Sequence, residues 1–220
     1  MTATRPLLEI ENLAVEIQSM PALRGFTMHL AEGGMISLVG RNGAGKTTLM
    51  RSIMGHLAPK RGTIRFMGED LAALPRHARA GLGIGYMPED RGLVPQLTVE
   101  ENILLPLWVA KDIDLKARLQ FVYDVIGELT AMRDRKALLL SGGQQKLVAL
   151  GRALGIGTRC LLLDEPFEGI APALSERISD VLASLKGKGL TVLMSQSDLN
   201  HSHTLFDAEF VIERGANLST

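Results

Sequence analysis

The sequence predicts an α/β fold with an inserted helical lobe, and three observations carry that prediction. Continuous apolar runs of strand length recur along the 220 residues: MISLVG from Met35, CLLLDE from Cys160, LTVLMS from Leu190 and AEFVIE from Ala208. Such runs suit strands covered on both faces. Amphipathic helical patterns alternate with them, as in a sheet flanked by helices. Between about 91 and 140 the helical patterns continue without an evident strand, which marks an insertion into a core of about 1–90 and 141–220 within one domain.

Each element has a local reason. LLEIENLAVEI, RGFTMHL and GTIRFMG are short, partly alternating strands separated by glycine-containing turns. After the first buried run, Leu49, Ile53 and Leu57 repeat every four residues and predict a helix. GLGIG, Gly81–Gly85, lacks the spacing of a dinucleotide fingerprint and reads as a turn leading into a strand. Thr98 and Glu101 form a capping-box pair opening NILLPLWVA, a helix that Pro106 must shorten or kink. Leu115, Leu119, Val122, Ile126 and Leu129 form a second stripe; Leu174, Ile178, Val181 and Leu185 form a third, led in by Pro172.

Composition excludes several classes. Lysine plus arginine equals aspartate plus glutamate, 24 each, so no global field draws the chain to nucleic acid or acidic lipid, and no nucleic-acid partner is expected. The single cysteine, Cys160, cannot close an internal disulfide and sits in an apolar run, which suits a reducing compartment. No apolar stretch approaches the roughly 20 residues of a membrane span, and MTATRPLLEIEN lacks the apolar segment of a secretory signal. The chain reads as soluble, and any contact with a membrane must go through another protein.

Gly40, Arg41, Asn42, Gly43, Ala44, Gly45, Lys46 and Thr47 fit the G-x-x-x-x-G-K-[ST] phosphate-loop pattern, followed by Thr48 in the first turn of a helix. Glycines let the backbone wrap so that successive N–H groups aim at phosphate oxygens, and the helix N-terminus adds partial positive charge. Lys46 can reach the β- and γ-phosphates of ATP, and the Thr47 hydroxyl can ligate Mg²⁺. The run from Cys160 ends in Asp164-Glu165. A core strand ends in charge because it has reached solvent or because a cation waits there. In a parallel sheet the carboxyl ends of strands gather where ligands bind. Asp164 is therefore placed beside Thr47 as a second Mg²⁺ ligand, and Glu165 as the group that orients or deprotonates the attacking water.

Ser141-Gly142-Gly143-Gln144 opens the helical pattern from Lys146 to Leu154. It reads either as a second anion-binding helix N-terminus or as a cap with no ligand. LSGGQQ, lying between GRNGAGKT and LLLDEP, resembles the signature of ATP-binding-cassette ATPases, and motif order and spacing agree over essentially the whole chain. The resemblance implies a phosphate-loop core with an antiparallel β subdomain and an inserted α-helical subdomain. It also implies two cassettes packed head to tail, so that Ser141, Gly142, Gly143 and Gln144 meet the γ-phosphate bound by a partner chain. YMPEDRGLVPQLTVEENI and LLLDEPFEGIAP further resemble an ATPase subunit of branched-chain amino acid uptake systems, with urea and short-chain amide importers nearby. Such a subunit implies a second, different cassette, two permease subunits, a periplasmic binding protein and a peripheral position on the cytoplasmic face of the inner membrane.

Three positions depart from the family pattern. Ile17 stands where an aromatic side chain usually stacks on adenine, a contact of roughly 1–3 kcal/mol. Glu89 stands where many cassettes place a glutamine that contacts Mg²⁺; a carboxylate can still ligate the ion. Ser197 stands where most place a histidine on the γ-phosphate, and losing one such donor costs about 3 kcal/mol. The candidate catalytic set is thus Glu165, Lys46 and Ser197, with slow turnover expected. A cassette that binds ATP and closes as a regulatory half is the alternative. His201 and His203, at i, i+2, are poorly spaced for a metal pair on a helix. Pro75–Arg79 is expected to be a solvated basic turn, and the apolar stretch Leu93–Leu97 to pack within the lobe or to receive a permease helix.

Overall fold

The computed structural model describes residues 6–108, 110, 113–197 and 205–218. Its strands are β1 (Leu8–Ile17), β2 (Met20–Leu30), β3 (Met35–Val39), β4 (Arg61–Phe66), β5 (Glu69–Asp70), β6 (Ile84–Met87), β7 (Cys160–Leu163), β8 (Thr191–Gln196), β9 (Ala208–Glu213) and β10 (Ala216–Asn217). Its helices are α1 (Lys46–Ile53), α2 (Arg76–Gly81), α3 (Val99–Leu104), α4 (Leu115–Val125), α5 (Glu128–Ala131), α6 (Gly142–Ile156) and α7 (Pro172–Leu185).

Two sheets result. One is antiparallel, in the order β2-β1-β4-β5; the other runs β10-β9-β3-β8-β7-β6 and is parallel except for β10. The uninterrupted apolar runs are parallel strands; β3, β7 and β8 are buried on both faces, whereas β9, expected to be covered likewise, is buried only at Ile212 and leaves Val211 exposed. Along β7, Cys160 and Leu162 join the core shared with α1 and the antiparallel sheet, whereas Leu161 and Leu163 join the core under α6 and α7. Adjacent strands β3, β8 and β7 carry Val39 opposite Gln196 and Leu163 opposite Met194. The segments leaving their carboxyl ends are therefore brought side by side.

The local signals behave as their chemistry requires. Glu101 N–H donates to Thr98 Oγ1 at 3.1 Å and Thr98 N–H to Glu101 Oε2 at 2.8 Å, closing the capping box. α3 ends at Leu104, ahead of Pro106. Pro172 occupies the first turn of α7. The stripe from Leu115 to Leu129 spans two helices rather than one, since Ile126 leaves helical geometry at φ −122°. Leu57 lies past the end of α1, and GLGIG spans the end of α2 and enters β6. Among the described residues from 91 to 140 there are helices and one isolated bridge, Thr98 to Lys136, but no ladder strand. No described helix is long and apolar enough to cross a membrane.

One expectation is corrected. Pro75–Arg79 is solvated only in part: Pro75, Arg76 and His77 are exposed, but α2 begins at Arg76 and Arg79 is buried. Its guanidinium donates to the carbonyls of Ser52 (2.8 Å), Ile53 (2.5 Å) and Leu71 (2.8 Å). The first two belong to the last turn of α1, whose carbonyls have no partner within the helix. Burial holds the Arg79 guanidinium below its ordinary pKa, partly offset by Asp70. Ser52 O also accepts Gly55 N–H at 3.0 Å and Leu71 O accepts Leu74 N–H at 3.3 Å. Arg79→Met should therefore strand Ile53 O and lower stability by about 1–3 kcal/mol, read as a denaturant midpoint. A midpoint shift worth less than about 0.5 kcal/mol would mean that water replaces the guanidinium.

Candidate functional site

The phosphate loop connects β3 to α1. Gly45 sits at φ 114°, and a Cβ there would lie 2.9 Å from Leu23 Cδ2, so only glycine lets the chain turn into the helix at this point. Gly40 N–H donates to Gln196 O at 3.1 Å, and Ala44 N–H to Arg41 O at 3.0 Å. Lys46 opens α1 with its ammonium turned back over the loop. It donates to the carbonyls of Gly40 and Arg41, the latter at 3.2 Å.

The same ammonium forms an ion pair with Glu165 Oε1 at 2.9 Å, both side chains being over nine-tenths buried. Ser197 Oγ lies 3.3 Å from Lys46 Nζ, 2.6 Å from Glu165 Oε1 and 2.7 Å from Asn42 Oδ1. Its one proton serves either the carboxylate or the amide oxygen. Ser197 thus lies against Glu165 and also touches Lys46 and Asn42, two neighbours that the sequence reading did not assign to it. Asp198, His201 and His203 lie outside the described residues.

Asp164 is fully buried, and its carboxylate is held from three sides. Thr47 Oγ1 and Ser195 Oγ donate to Oδ1 at 3.2 and 2.8 Å, and Tyr86 OH lies 3.4 Å from Oδ2. Burial raises the carboxyl above its ordinary pKa of 3.8; the bonds from Ser195 and Thr47 pull it back, and Glu165 pushes it up again. Burial and Asp164 together push the Tyr86 phenol well up. Ser195 also accepts Glu165 N–H at 2.9 Å, so one hydroxyl fastens both acidic residues to β8. Glu165 itself has φ 47°, an uncommon conformation for a non-glycine residue. Burial raises the Glu89 carboxyl, followed by the fields of Glu168, Asp164 and Glu165.

A cavity of about 570 Å³ is lined by Asn42, Gly43, Gly45, Lys46, Thr47 and Thr48, together with Glu89, Glu165, Glu168, Pro21, Ala22, Arg24 and Arg214. Asp164 and Ser197 do not line it and reach it through Thr47 and Glu165. Ile17 does not line it; it ends β1 opposite Met20, and both are exposed. The Thr47 hydroxyl with the Asp164 and Glu89 carboxylates is a hard oxygen donor set of the kind Mg²⁺ takes.

Ser141–Gln144 lie elsewhere. Gln144 N–H donates to Ser141 Oγ at 3.2 Å and Ser141 N–H to Gln144 Oε1 at 3.0 Å, while Ser141 and Gly142 are exposed. None of the four lines the Lys46 cavity. Lys146, which sequence reading passed over, is buried on the same helix and donates to the carbonyls of Glu165 (3.1 Å) and Glu168 (2.6 Å). A lysine on the apolar face of a helical pattern was the available signal.

A second cavity, about 940 Å³, opens between the core and residues 88–106, lined by Tyr86, Glu89, Asp90, Leu105, Pro106 and Arg152 among others. None of Leu93, Val94, Pro95 and Leu97, expected to line a groove here, lines it; its apolar wall comes from Met54, Ile84, Pro88, Leu105, Pro106 and Ile156, and Leu93 packs against the core under α6.

A buried lysine in a glycine loop, a strand-end acidic pair and a second capped loop on one mixed α/β core define an ATP-binding cassette. A family model described as ABC transporter matches residues 23–168, and the chain belongs to that family: it is the ATPase subunit of a transporter. It is 32% identical to the lipopolysaccharide export system ATP-binding protein LptB of Haemophilus influenzae, over 97% of this chain and 90% of that one. It is 31% identical to the high-affinity branched-chain amino acid transport ATP-binding protein BraG of Pseudomonas aeruginosa, over 95% and 90%. Among solved structures, the ADP conformation of the cassette MJ1267 superposes with a TM-score of 0.82 at 29% identity, covering 98% of this chain and 91% of that one. The matched relatives are ATP-binding proteins of transport systems, and one matched cassette was solved in an ADP conformation.

The raised Asp164 carboxyl makes a signed prediction. Because its folded value lies above 3.8, folding takes up a proton in that window, and stability is lost as pH rises through the folded value. Asp164→Asn can keep all three hydrogen-bond partners without the buried charge. The nucleotide-free variant should be more stable than the parent at pH 7 and lack that part of the pH dependence, read from denaturant midpoints between about pH 4 and 8. A variant less stable at pH 7 would contradict this.

Proposed function

We propose that this chain hydrolyses ATP in a site that a second cassette completes, and that hydrolysis drives uptake of branched-chain or other hydrophobic amino acids through a partner permease. One observation carries the hydrolytic part: Lys46, Thr47 and Glu165 line one cavity, and Asp164 and Ser197, from adjacent strand ends, hydrogen-bond to Thr47 and Glu165. Lys46 and the loop amides of residues 40–48 hold the β- and γ-phosphates. Thr47 and Asp164, with Glu89 at the rim, hold Mg²⁺, which supplies charge neutralisation on the terminal phosphates when bound. Glu165 takes the proton of the attacking water. Ser197 donates a hydrogen bond toward the terminal phosphate without contributing charge, which makes turnover at this site slow. Ser141, Gly142, Gly143 and Gln144, exposed and away from the chain's own cavity, cap the nucleotide of the partner cassette.

The choice of amino acids as cargo is supported by the stretches Tyr86–Ile103 and Leu161–Pro172 and by the likeness to BraG. It brings with it a heteromeric pair of cassettes, a periplasmic binding protein and a place on the cytoplasmic face of the inner membrane. Equally strong likeness to LptB favours a second reading, a cassette that drives lipopolysaccharide export. Related uptake systems for urea and short-chain amides share the same motifs. Ser197 and Ile17 favour a third, a regulatory half that closes on ATP and hydrolyses little. Vesicles holding the complete transporter separate these: leucine accumulation supports the first, and extraction of lipopolysaccharide without leucine uptake supports the second.

Glu165→Gln should lower steady-state hydrolysis by about 10²–10⁴-fold while leaving equilibrium ATP binding intact; unchanged hydrolysis would remove Glu165 from the reaction. Ser197→His should raise turnover of the assembled complex. If turnover does not move, the missing charge at this position is not what limits the rate.

A further inference from the structure

Besides the phosphate loop, the same cavity is lined by Pro21, Ala22, Arg24 and Arg214. These residues flank a nucleotide whose phosphates lie over Lys46. No aromatic side chain lines that cavity, and Phe26, the aromatic residue of β2, is fully buried. Two planar cations stand in its place. Among the described residues, neither the Arg24 nor the Arg214 guanidinium has a hydrogen-bond or ion-pair partner. Arg41, Arg51, Arg61, Arg65, Arg76 and Arg159 are equally unengaged, so what sets Arg24 and Arg214 apart is that they alone among the described arginines line this cavity.

Arg214 is positioned by more than proximity. It occupies the turn between β9 and β10 with φ 49°. The next residue, Gly215, donates its N–H to Ala44 O of the phosphate loop at 2.8 Å and accepts Arg24 N–H at 2.7 Å. Its Cα is packed so closely on β2 that a Cβ would lie 2.4 Å from Ala22 O. Asn217 adds a side-chain pair to the backbone of Thr27, at 2.8 Å in each direction. The turn is thus fastened at once to the phosphate loop and to the strand that supplies Pro21, Ala22 and Arg24. An unengaged guanidinium held at fixed distance from a phosphate cradle is suited to stack on a purine, since it is flat, permanently charged and weakly hydrated.

We propose that Arg214 is the base-binding residue of this cassette, its guanidinium stacking on the purine against Pro21 and Ala22. The contact is with the base and not with the phosphates. The test is equilibrium binding, without turnover, of ATP and of inorganic tripolyphosphate to the full chain. Arg214→Asn removes the guanidinium and suits the left-handed backbone; Arg214→Lys keeps the charge and loses the plane. Both variants should bind ATP about tenfold more weakly and tripolyphosphate within about twofold of the parent. Three outcomes overturn the assignment: ATP affinity unchanged in Arg214→Asn; parallel losses for ATP and tripolyphosphate; or full recovery in Arg214→Lys, which would make the contact one of charge. An ATP-selective loss found in Arg24→Ala and absent from Arg214→Asn would overturn it as well.

Discussion

The ion pair between Lys46 and Glu165 is the constraint on which the site is built. Both charges are buried, and neither could remain so alone. Such a pair contributes little net stability, because desolvation offsets most of the attraction. Its consequence is positional. Lys46 is drawn over the carbonyls of its own loop, Glu165 is held in a left-handed conformation, and Ser197 and Asn42 close around the contact. Under the proposed function, a triphosphate entering over Lys46 would compete with Glu165 for the same ammonium and release the carboxylate toward water.

Ser195 and Lys146 hold that arrangement from behind. Ser195 joins both acidic residues to the neighbouring strand, and Lys146 holds the carbonyls of Glu165 and Glu168 from the helix that starts at Gly142. The exposed start of α6 and the acidic pair are consequently one mechanical unit, linked through a buried lysine. Arg118, donating from α4 to the carbonyls of Leu154 and Gly155, fixes the opposite end of α6 to the helical insertion. Closure of one cassette on another would therefore reach Glu165 by short, polar, buried links.

Much of this was legible in the sequence because it rests on local chemistry. Strands β3, β7 and β8 announced themselves as unbroken apolar runs, since a strand covered on both faces has no solvent side to alternate with. Thr98 and Glu101, Pro172, and the loop from Gly40 to Thr48 state their roles within a few residues. Groups acting across the chain were not legible. Arg79 looks like surface charge until Ser52, Ile53 and Leu71 are brought around it. Ser195 is one hydroxyl in an apolar run, and Arg214 lies 168 positions after Lys46 (214 minus 46) on a turn with no motif. β5 and β10, two residues each, are too short to carry a pattern.

Equilibrium ATP binding to Lys46→Ala, compared with the parent chain, tests the whole arrangement most directly. If the ammonium that now holds Glu165 is the group that grips the terminal phosphates, affinity should fall by at least about thirtyfold. Nucleotide held by the variant as tightly as by the parent would place the phosphates somewhere other than this loop, and would contradict every role derived from it.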